Sequence, residues 1–379
     1  MDTLKNICDL GDVNKMQKER EIYRLPVIIS IDTIYKDILP NLSKKYRNLG
    51  KGEQTEVSLI QTDRIDSNAI PTFVGILNIL KNKSGLPVYL ELVYNVRLLC
   101  FLDSIGFFRI LSELEIIVYD KNYIGGFDGY NFNNNHKIYS CFPILDYENK
   151  PVKEKMYIRD VLSERLKYEV MSKYIALVRK KHKLSDGDEY LLLTAISEII
   201  LNAQIYSTSM CYTYMQSGIK VSNKKKKILL SIVDIGKGFK NSLDNKIKTG
   251  EYNKEDREKF HSYINELKID FIRERHFISI MEALYYSELQ PRKMNLYNLK
   301  KLLANSHANF RIFYKNRQVV FTSDRCYSCK DKKIFNCIHC LWKAKQNSKT
   351  MQQSPIKEYP LALAGVHIDI EFIMEESNV

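Results

Sequence analysis

The sequence predicts a mixed two-domain protein: a polar tail over residues 1–24, an α/β domain over 25–150, and an α+β domain over 151–379 that carries a four-cysteine metal-binding insert at 324–345. Three observations predict it. Residues 55–120 alternate short β-branched runs with apolar helical patterns, the rhythm of an α/β unit. A polar segment, "DYENKPVKEKMYI", breaks the chain near residue 150, and long helical patterns follow it before further strands. Among those later strands, "CYSCKDKKIFNCIHC" gathers four of the eight cysteines. A chain of 379 residues with 45% hydrophobic and 27% charged side chains has an ordinary globular composition and is long enough for two or three domains.

The elements follow in order. "RLPVIISI" reads as a strand and "YKDILPNLSKKYRNLGKGEQ" as a helix running into a Gly and Lys turn. Strand "TEVSLIQ", helix "AIPTFVGILNILKNKSG", strand "LPVYLELV", helix "VRLLCFLDSIGFFRIL" and strand "LEIIVYD" come next. The Gly- and Asn-rich "NYIGGFDGYNFNNNHK" is a loop, with strand "KIYSCFPIL" beyond it. After the polar break, "RDVLSERLKYEVMSKYIALVRKKHKL" is a long helix, "SDGDE" supplies cap and turn residues, and "LLLTAISEIILNAQIYS" is a second helix. Strand "KKILLSIVD", turn "DIGKGF" and a charged helical run from Asn241 to Ser287 lead to helix "YNLKKLLANS". Strands "NFRIFYKN" and "QVVFTS", the cysteine insert and the strand "GVHIDIEFIM" complete the chain.

The segment 191–207 is apolar almost all the way round, yet it places Glu198 and Asn202 in its middle. Four residues apart, they project from one face of a helix. A buried carboxylate is costly unless paired, hydrogen-bonded or protonated. Two readings follow: a satisfied polar pair bonded to a nearby loop, or a functional pair.

A second constellation is the turn "SIVDIGKGF". An apolar strand ends in Asp234, and Gly236 and Gly238 let the main chain approach a ligand where a side chain would block it. The Asp234 carboxylate at the strand end can accept a hydrogen bond from the exocyclic amine of an adenine. A tight strand-to-helix turn explains the same residues equally well.

A helix with E-x3-N, a strand with D-x-G-x-G, a further helix and closing strands together resemble the GHKL superfamily of gyrase, Hsp90, MutL, the histidine kinases and the anti-sigma-factor kinases, over roughly residues 160–376. The resemblance implies a Bergerat-type ATPase sandwich. By it, Asn202 coordinates the Mg2+ that bridges the phosphates of ATP, Glu198 acts as the base toward water, Asp234 reads adenine, and Gly236 and Gly238 line the pocket. The sequence departs from the pattern in two places. "PRKMNLYNLKKL" puts Lys293 and Asn295 where the family's phosphate loop has glycines, so Lys293 or Arg292 would supply charge in place of backbone amides. Val366 replaces the threonine of the family's closing Gly-Thr strand. The resemblance therefore implies nucleotide binding more firmly than turnover, in a nucleotide-driven switch or ATPase of a signalling or multi-protein assembly. The alternatives are a basic, zinc-stapled adaptor with a vestigial pocket and an anti-sigma-type serine kinase.

The insert has the spacing C-x2-C-x7-C-x2-C, made by Cys326, Cys329, Cys337 and Cys340. Two such knuckles present four thiolates to one tetrahedral ion, with zinc favoured for a structural site and an iron-sulfur cluster as the alternative. Cys8, Cys100, Cys141 and Cys211 are scattered and read as reduced thiols. Arg325, Lys330, Lys332, Lys333, Lys343 and Lys345 make the insert basic, so it either contacts nucleic acid or a protein, or only ties down a long hairpin.

The N-terminal domain resembles STAS-like regulatory domains through "RIDSNAIPTFVGIL" and "FLDSIGFFRIL", each an Asp-Ser pair ahead of an apolar helix. The likeness implies a protein partner for this domain and makes Ser67 or Ser104 the candidate phosphoacceptor position; read from the residues alone, both are helix caps. A net charge of +13 and a pI near 9.1 permit an anionic partner such as nucleic acid or a nucleotide. The run "NKKKKI" reads as a solvated loop. The sequence holds no apolar stretch approaching the ~20 residues that cross a bilayer and no secretory signal at its start, so a cytoplasmic protein without a membrane partner is expected. The long helix before Ser185 is a candidate homodimer element.

Overall fold

The computed structural model describes residues 22–92, 95–124, 136–141, 150–179, 185–206, 209–222, 225–290, 296–297, 300, 308–322, 333–351 and 353–375. The protein is mixed α/β, with parallel and antiparallel sheets. Strands β1 (Tyr23–Arg24), β2 (Ile28–Ile29), β3 (Glu56–Ser58), β4 (Arg64–Ile65), β5 (Val88–Glu91) and β6 (Ile117–Val118) form the first half. Of these, β1, β3, β5 and β6 make a parallel sheet in that order, and β2 and β4 pair separately. The run expected as one strand, "RLPVIISI", is thus divided between two sheets. Pro26 lies at the division, where it has no N–H to give a ladder.

Ser30 then starts a helix: its Oγ accepts from the Thr33 N–H at 3.1 Å while the Thr33 Oγ1 accepts from the Ser30 N–H at 2.7 Å, a reciprocal capping box. Helix α1 (Ile31–Thr33) runs through a wider π-type turn (Ile34–Ile38) into α2 (Leu39–Lys45). Helix α3 (Ile70–Ser84) follows β4, and the single helix expected over 96–111 is two, α4 (Val96–Ser104) and α5 (Phe107–Glu113).

The second half has helices α6 (Val152–Val170), α7 (Ala176–Arg179) and α8 (Asp186–Tyr206), then α9 (Gly238–Lys248), α10 (Lys254–Glu266), α11 (Arg275–Glu288) and α12 (Ile334–Gln346). The charged run from Asn241 to Ser287 is therefore three helices. The antiparallel sheet comprises β7 (His136–Cys141), β8 (Cys211–Ser222), β9 (Lys225–Asp234), β10 (Ala308–Thr322) and β11 (Ile356–Glu375), in the order β10-β11-β9-β8-β7. β7 precedes the polar break near residue 150, yet it pairs with β8, with Ile138 opposite Tyr214. The two strands expected at 309–323 are one strand with an irregularity at Lys315, whose φ is +56°.

Both faces of this sheet are covered. Met215, Ile228, Leu230, Ile232, Phe310 and Ile370 share a core with Ile196, Ile199 and Ile200 of α8 and Phe277, Ile280 and Met281 of α11. Tyr212, Tyr214, Phe313 and Tyr359 instead join the core of the α/β half, with Tyr35, Phe73 and Leu77. Polar groups cross that second boundary. His367 on β11 meets Thr72 Oγ1 through Nδ1 (2.9 Å), and Ser231 Oγ (2.9 Å) and Asp369 Oδ1 (2.6 Å) through Nε2. Asn68 Nδ2 donates to Asp369 Oδ2 at 3.3 Å. Mutually satisfied, and buried except for the half-buried Asn68, these groups tie the two halves together at low desolvation cost.

Candidate functional site

Helix α8 is apolar all round because it lies between the sheet and other helices. It sets Glu198 and Asn202 one turn apart, with Asn202 Nδ2 donating to Glu198 Oε1 at 3.3 Å. The same oxygen accepts from Arg159 NH2 of α6 at 2.8 Å, and the carboxylate is only 7% exposed. Burial pushes the Glu198 carboxyl above the usual carboxylate range; the charge and hydrogen bond of Arg159 and the Asn202 amide oppose it without cancelling it.

At the end of β9, Asp234 Oδ1 accepts from the Gly236 N–H at 3.0 Å, a side-chain turn that swings the chain into α9. Gly238, at φ +71°, opens that helix; a Cβ there would stand 2.4 Å from Cε2 of Tyr314, so the tyrosine ring occupies the space a side chain would need. The Tyr314 hydroxyl accepts from the Lys240 N–H at 3.3 Å, which ties the turn to β10. On the other side Gly365 of β11, at φ +80°, lets its backbone meet that of Asp234: an added Cβ would lie 1.9 Å from the Asp234 carbonyl oxygen.

These elements enclose an open cavity of about 150 Å³. Asn202, Asp234, Gly238 and Val366 all line it, although they come from three separate segments of the chain. Its walls are largely apolar, with Ile232, Phe239, Leu243 and Ile368, and it holds the flat ring of Tyr286. Two cations border it. Lys246 of α9 is nearly buried, with Nζ 5.0 Å from the centre of the Tyr286 ring and 3.6 Å from Glu251 Oε2. Arg159 is the other.

No family model, curated protein or solved structure matches this chain. The geometry alone therefore bears on function.

The expected site residues fall into three groups. Asn202, Asp234 and Gly238 meet at the cavity. Glu198 and Gly236 are not on its wall; the first is paired with Arg159 and the second acts through its N–H on Asp234. Lys293, with Arg292 and Asn295, and the cysteines Cys326 and Cys329 lie outside the described residues. Arg159, Lys246 and Tyr286 belong to no motif, and only their membership of helical stretches was readable.

Of the cysteine set, Cys337 and Cys340 stand one turn apart on α12, a helix that the sequence reading did not include. Lys300, itself buried, donates from Nζ to Cys337 Sγ at 2.8 Å, an arrangement suited to an anionic sulfur. Among the described residues no three His, Cys, Asp or Glu side chains gather as a metal site. The helix docks firmly. The Ile334 N–H donates to Glu288 Oε2 at 3.0 Å, and Lys345 Nζ lies 2.6 Å from Glu274 Oε1 and over the Trp342 ring. Lys345 is thus spent on the protein's own core and withdrawn from the basic surface expected of the insert.

Neither serine of the STAS-like pattern caps a helix N-terminus. The Ser67 hydroxyl bonds Gln216 Oε1 on β8, across the boundary between the halves, and Ser104 Oγ donates to the Phe101 carbonyl at 2.7 Å. Among the described residues no helix is long and apolar enough to cross a membrane.

Proposed function

We propose that this protein is a GHKL-type ATP-binding switch of Bergerat fold, with the α/β half as the region that engages a protein partner. The convergence of Asn202, Asp234, Gly238 and Val366 on one cavity supports the reading, because these are four of the positions the motif order bears on. The cavity suits a nucleotide: apolar walls and an aromatic ring for a base, a carboxylate at a strand end for an exocyclic amine, and two cations for phosphates. With Asn202 Nδ2 committed to Glu198, the amide oxygen Oδ1 is the atom that would hold Mg2+. Bound Mg2+ would neutralise phosphate charge; everything else falls to the chain. Asp234, held by the Gly236 N–H, orients the base, Phe239 and Tyr286 exclude water from it, and Lys246 faces anionic groups. Glu198 is the candidate proton acceptor for hydrolysis, with its basicity limited by Arg159.

For the cysteines, the described pair fits half of a zinc site, with Cys337 and Cys340 as ligands on α12 and Lys300 as the cation beside the first sulfur; Cys326 and Cys329 would complete it. Its role would be to anchor the insert. The decisive experiment is isothermal titration of the full chain with ATP and Mg2+ beside Asp234→Asn. Saturable binding lost in the variant is expected; equal binding by both would refute Asp234 as the adenine reader.

A further inference from the structure

We propose that Arg159 is a phosphate-contacting residue that restrains Glu198 until an anionic ligand enters the cavity. This role rests on the nucleotide reading above and extends it to a residue outside every motif in the sequence. The cavity wall includes Arg159 and Asn202 but not Glu198, although Glu198 is one turn from Asn202 and its Oε1 accepts from both of them. A ligand in the cavity therefore meets the guanidinium, with the carboxylate held on that guanidinium out of reach. A guanidinium binds phosphate by the same forked geometry with which it binds carboxylate, so the two anions compete for it. Arg159 is largely buried and Glu198 more so, which leaves little water to screen the competition.

The physical consequence has a definite sign. Glu198 opposes phosphate binding twice, by holding the guanidinium and by its own negative charge. Removing that charge while keeping the side-chain shape should tighten the binding of phosphate-bearing ligands and leave a bare nucleoside unaffected. Conversely, once phosphate draws Arg159 away, Glu198 loses the cation that lowers its proton affinity and becomes a better base. The carboxylate would then be competent only in the ligand-bound protein. Lys246 lies on the same cavity but pairs with Glu251, so it adds attraction without taking part in the exchange.

The test is calorimetric titration of the full-length chain and its variants with adenosine, AMP and ATP in Mg2+, with thermal unfolding of each unliganded variant as the control for folding. Arg159→Ala should weaken ATP by roughly 10- to 100-fold, the range of a lost charged hydrogen bond, and leave adenosine within about 2-fold. Arg159→Lys should recover part of the loss. Glu198→Gln should tighten ATP several-fold without changing adenosine. The proposal fails if Arg159→Ala or Arg159→Lys affects adenosine and ATP equally, or neither, or if Glu198→Gln weakens ATP. A wild-type chain that binds neither adenosine nor ATP would remove the nucleotide reading itself, and this proposal with it; a binding-competent wild type whose Arg159→Ala variant holds ATP as tightly as before would remove only the proposal.

Discussion

Replacing Gly365 by alanine should destabilise the protein much more than the same change at Gly250. Both glycines have positive φ, +80° and +74°, so the conformational penalty of a side chain, about 1–2 kcal/mol, is common to both. Reduced freedom of the unfolded chain returns about 0.4–1 kcal/mol at each site. At Gly250 nothing lies within 4 Å of the new Cβ, and the net loss should be about 1 kcal/mol. At Gly365 the Cβ would stand 1.9 Å from the Asp234 carbonyl oxygen and 2.7 Å from Ile235 Cα, so the backbones of β9 and β11 must part where Val366 pairs with Asp234. Overpacking of this kind adds about 1–3 kcal/mol, for a total of roughly 2–4 kcal/mol. Urea denaturation of the two variants against wild type measures the difference, with m-values confirming a comparable transition. Because the strain falls on Asp234, Gly365→Ala should also weaken ATP, whereas Gly250→Ala should not. Equal denaturation midpoints for the two variants would refute the close approach of the strands as the reason for a glycine at 365.

Further outcomes are expected. Asp234→Asn should abolish measurable nucleotide binding in calorimetry while leaving the melting temperature within a few degrees of wild type, since the carboxylate is only partly buried. Arg317→Met removes a buried guanidinium that lies 3.3 Å from Glu274 and 2.5 Å from Glu358, and because Lys345 still pairs with Glu274 and Glu358 is half exposed, urea denaturation should show a loss of about 1–3 kcal/mol. Glu371 gives a pH dependence. Burial raises its carboxyl, but Arg311 at 3.0 Å, with Lys227 and Asn309, overrides this and holds it near pKa about 2, below the unfolded value of 4.5. Its stabilisation, on the order of 3 kcal/mol, is present above about pH 4.5 and lost as pH falls toward 2; Arg311→Met should flatten that limb in acid denaturation. Metal analysis of purified protein should find one zinc per chain, released by chelator and reduced by Cys337→Ser.

The meeting of Asn202, Asp234 and Gly238 at one cavity was legible because its parts are local: E-x3-N fixes a helical face, and D-x-G-x-G fixes a strand end and a turn, wherever the elements later pack. What the cavity adds from elsewhere was not. Arg159 sits in "RDVLSERLKY", whose charges look like any solvated helix, and only the packing of α6 beside α8 turns one of them inward. β8 escaped notice because Cys211 through Met215 are all buried, which removes the polar-apolar alternation that betrays a half-exposed strand. In the insert the cysteine spacing drew attention to ligands and away from the helix on which Cys337 and Cys340 stand. The pairing of β7 with β8 has no local signature, since strand partners distant in sequence are chosen by the whole fold.

β7 has a bearing on how the chain must be made and cut. It is synthesised with the first half but finds its hydrogen-bonding partner only after α6 and α8 have been added. A nascent chain therefore carries an unmatched strand through the production of those helices, a segment open to wrong pairing and a natural client for chaperones. A fragment beginning at residue 151 would lack β7 and expose the outer edge of β8. For expression of the second half, a start before His136 keeps that edge covered.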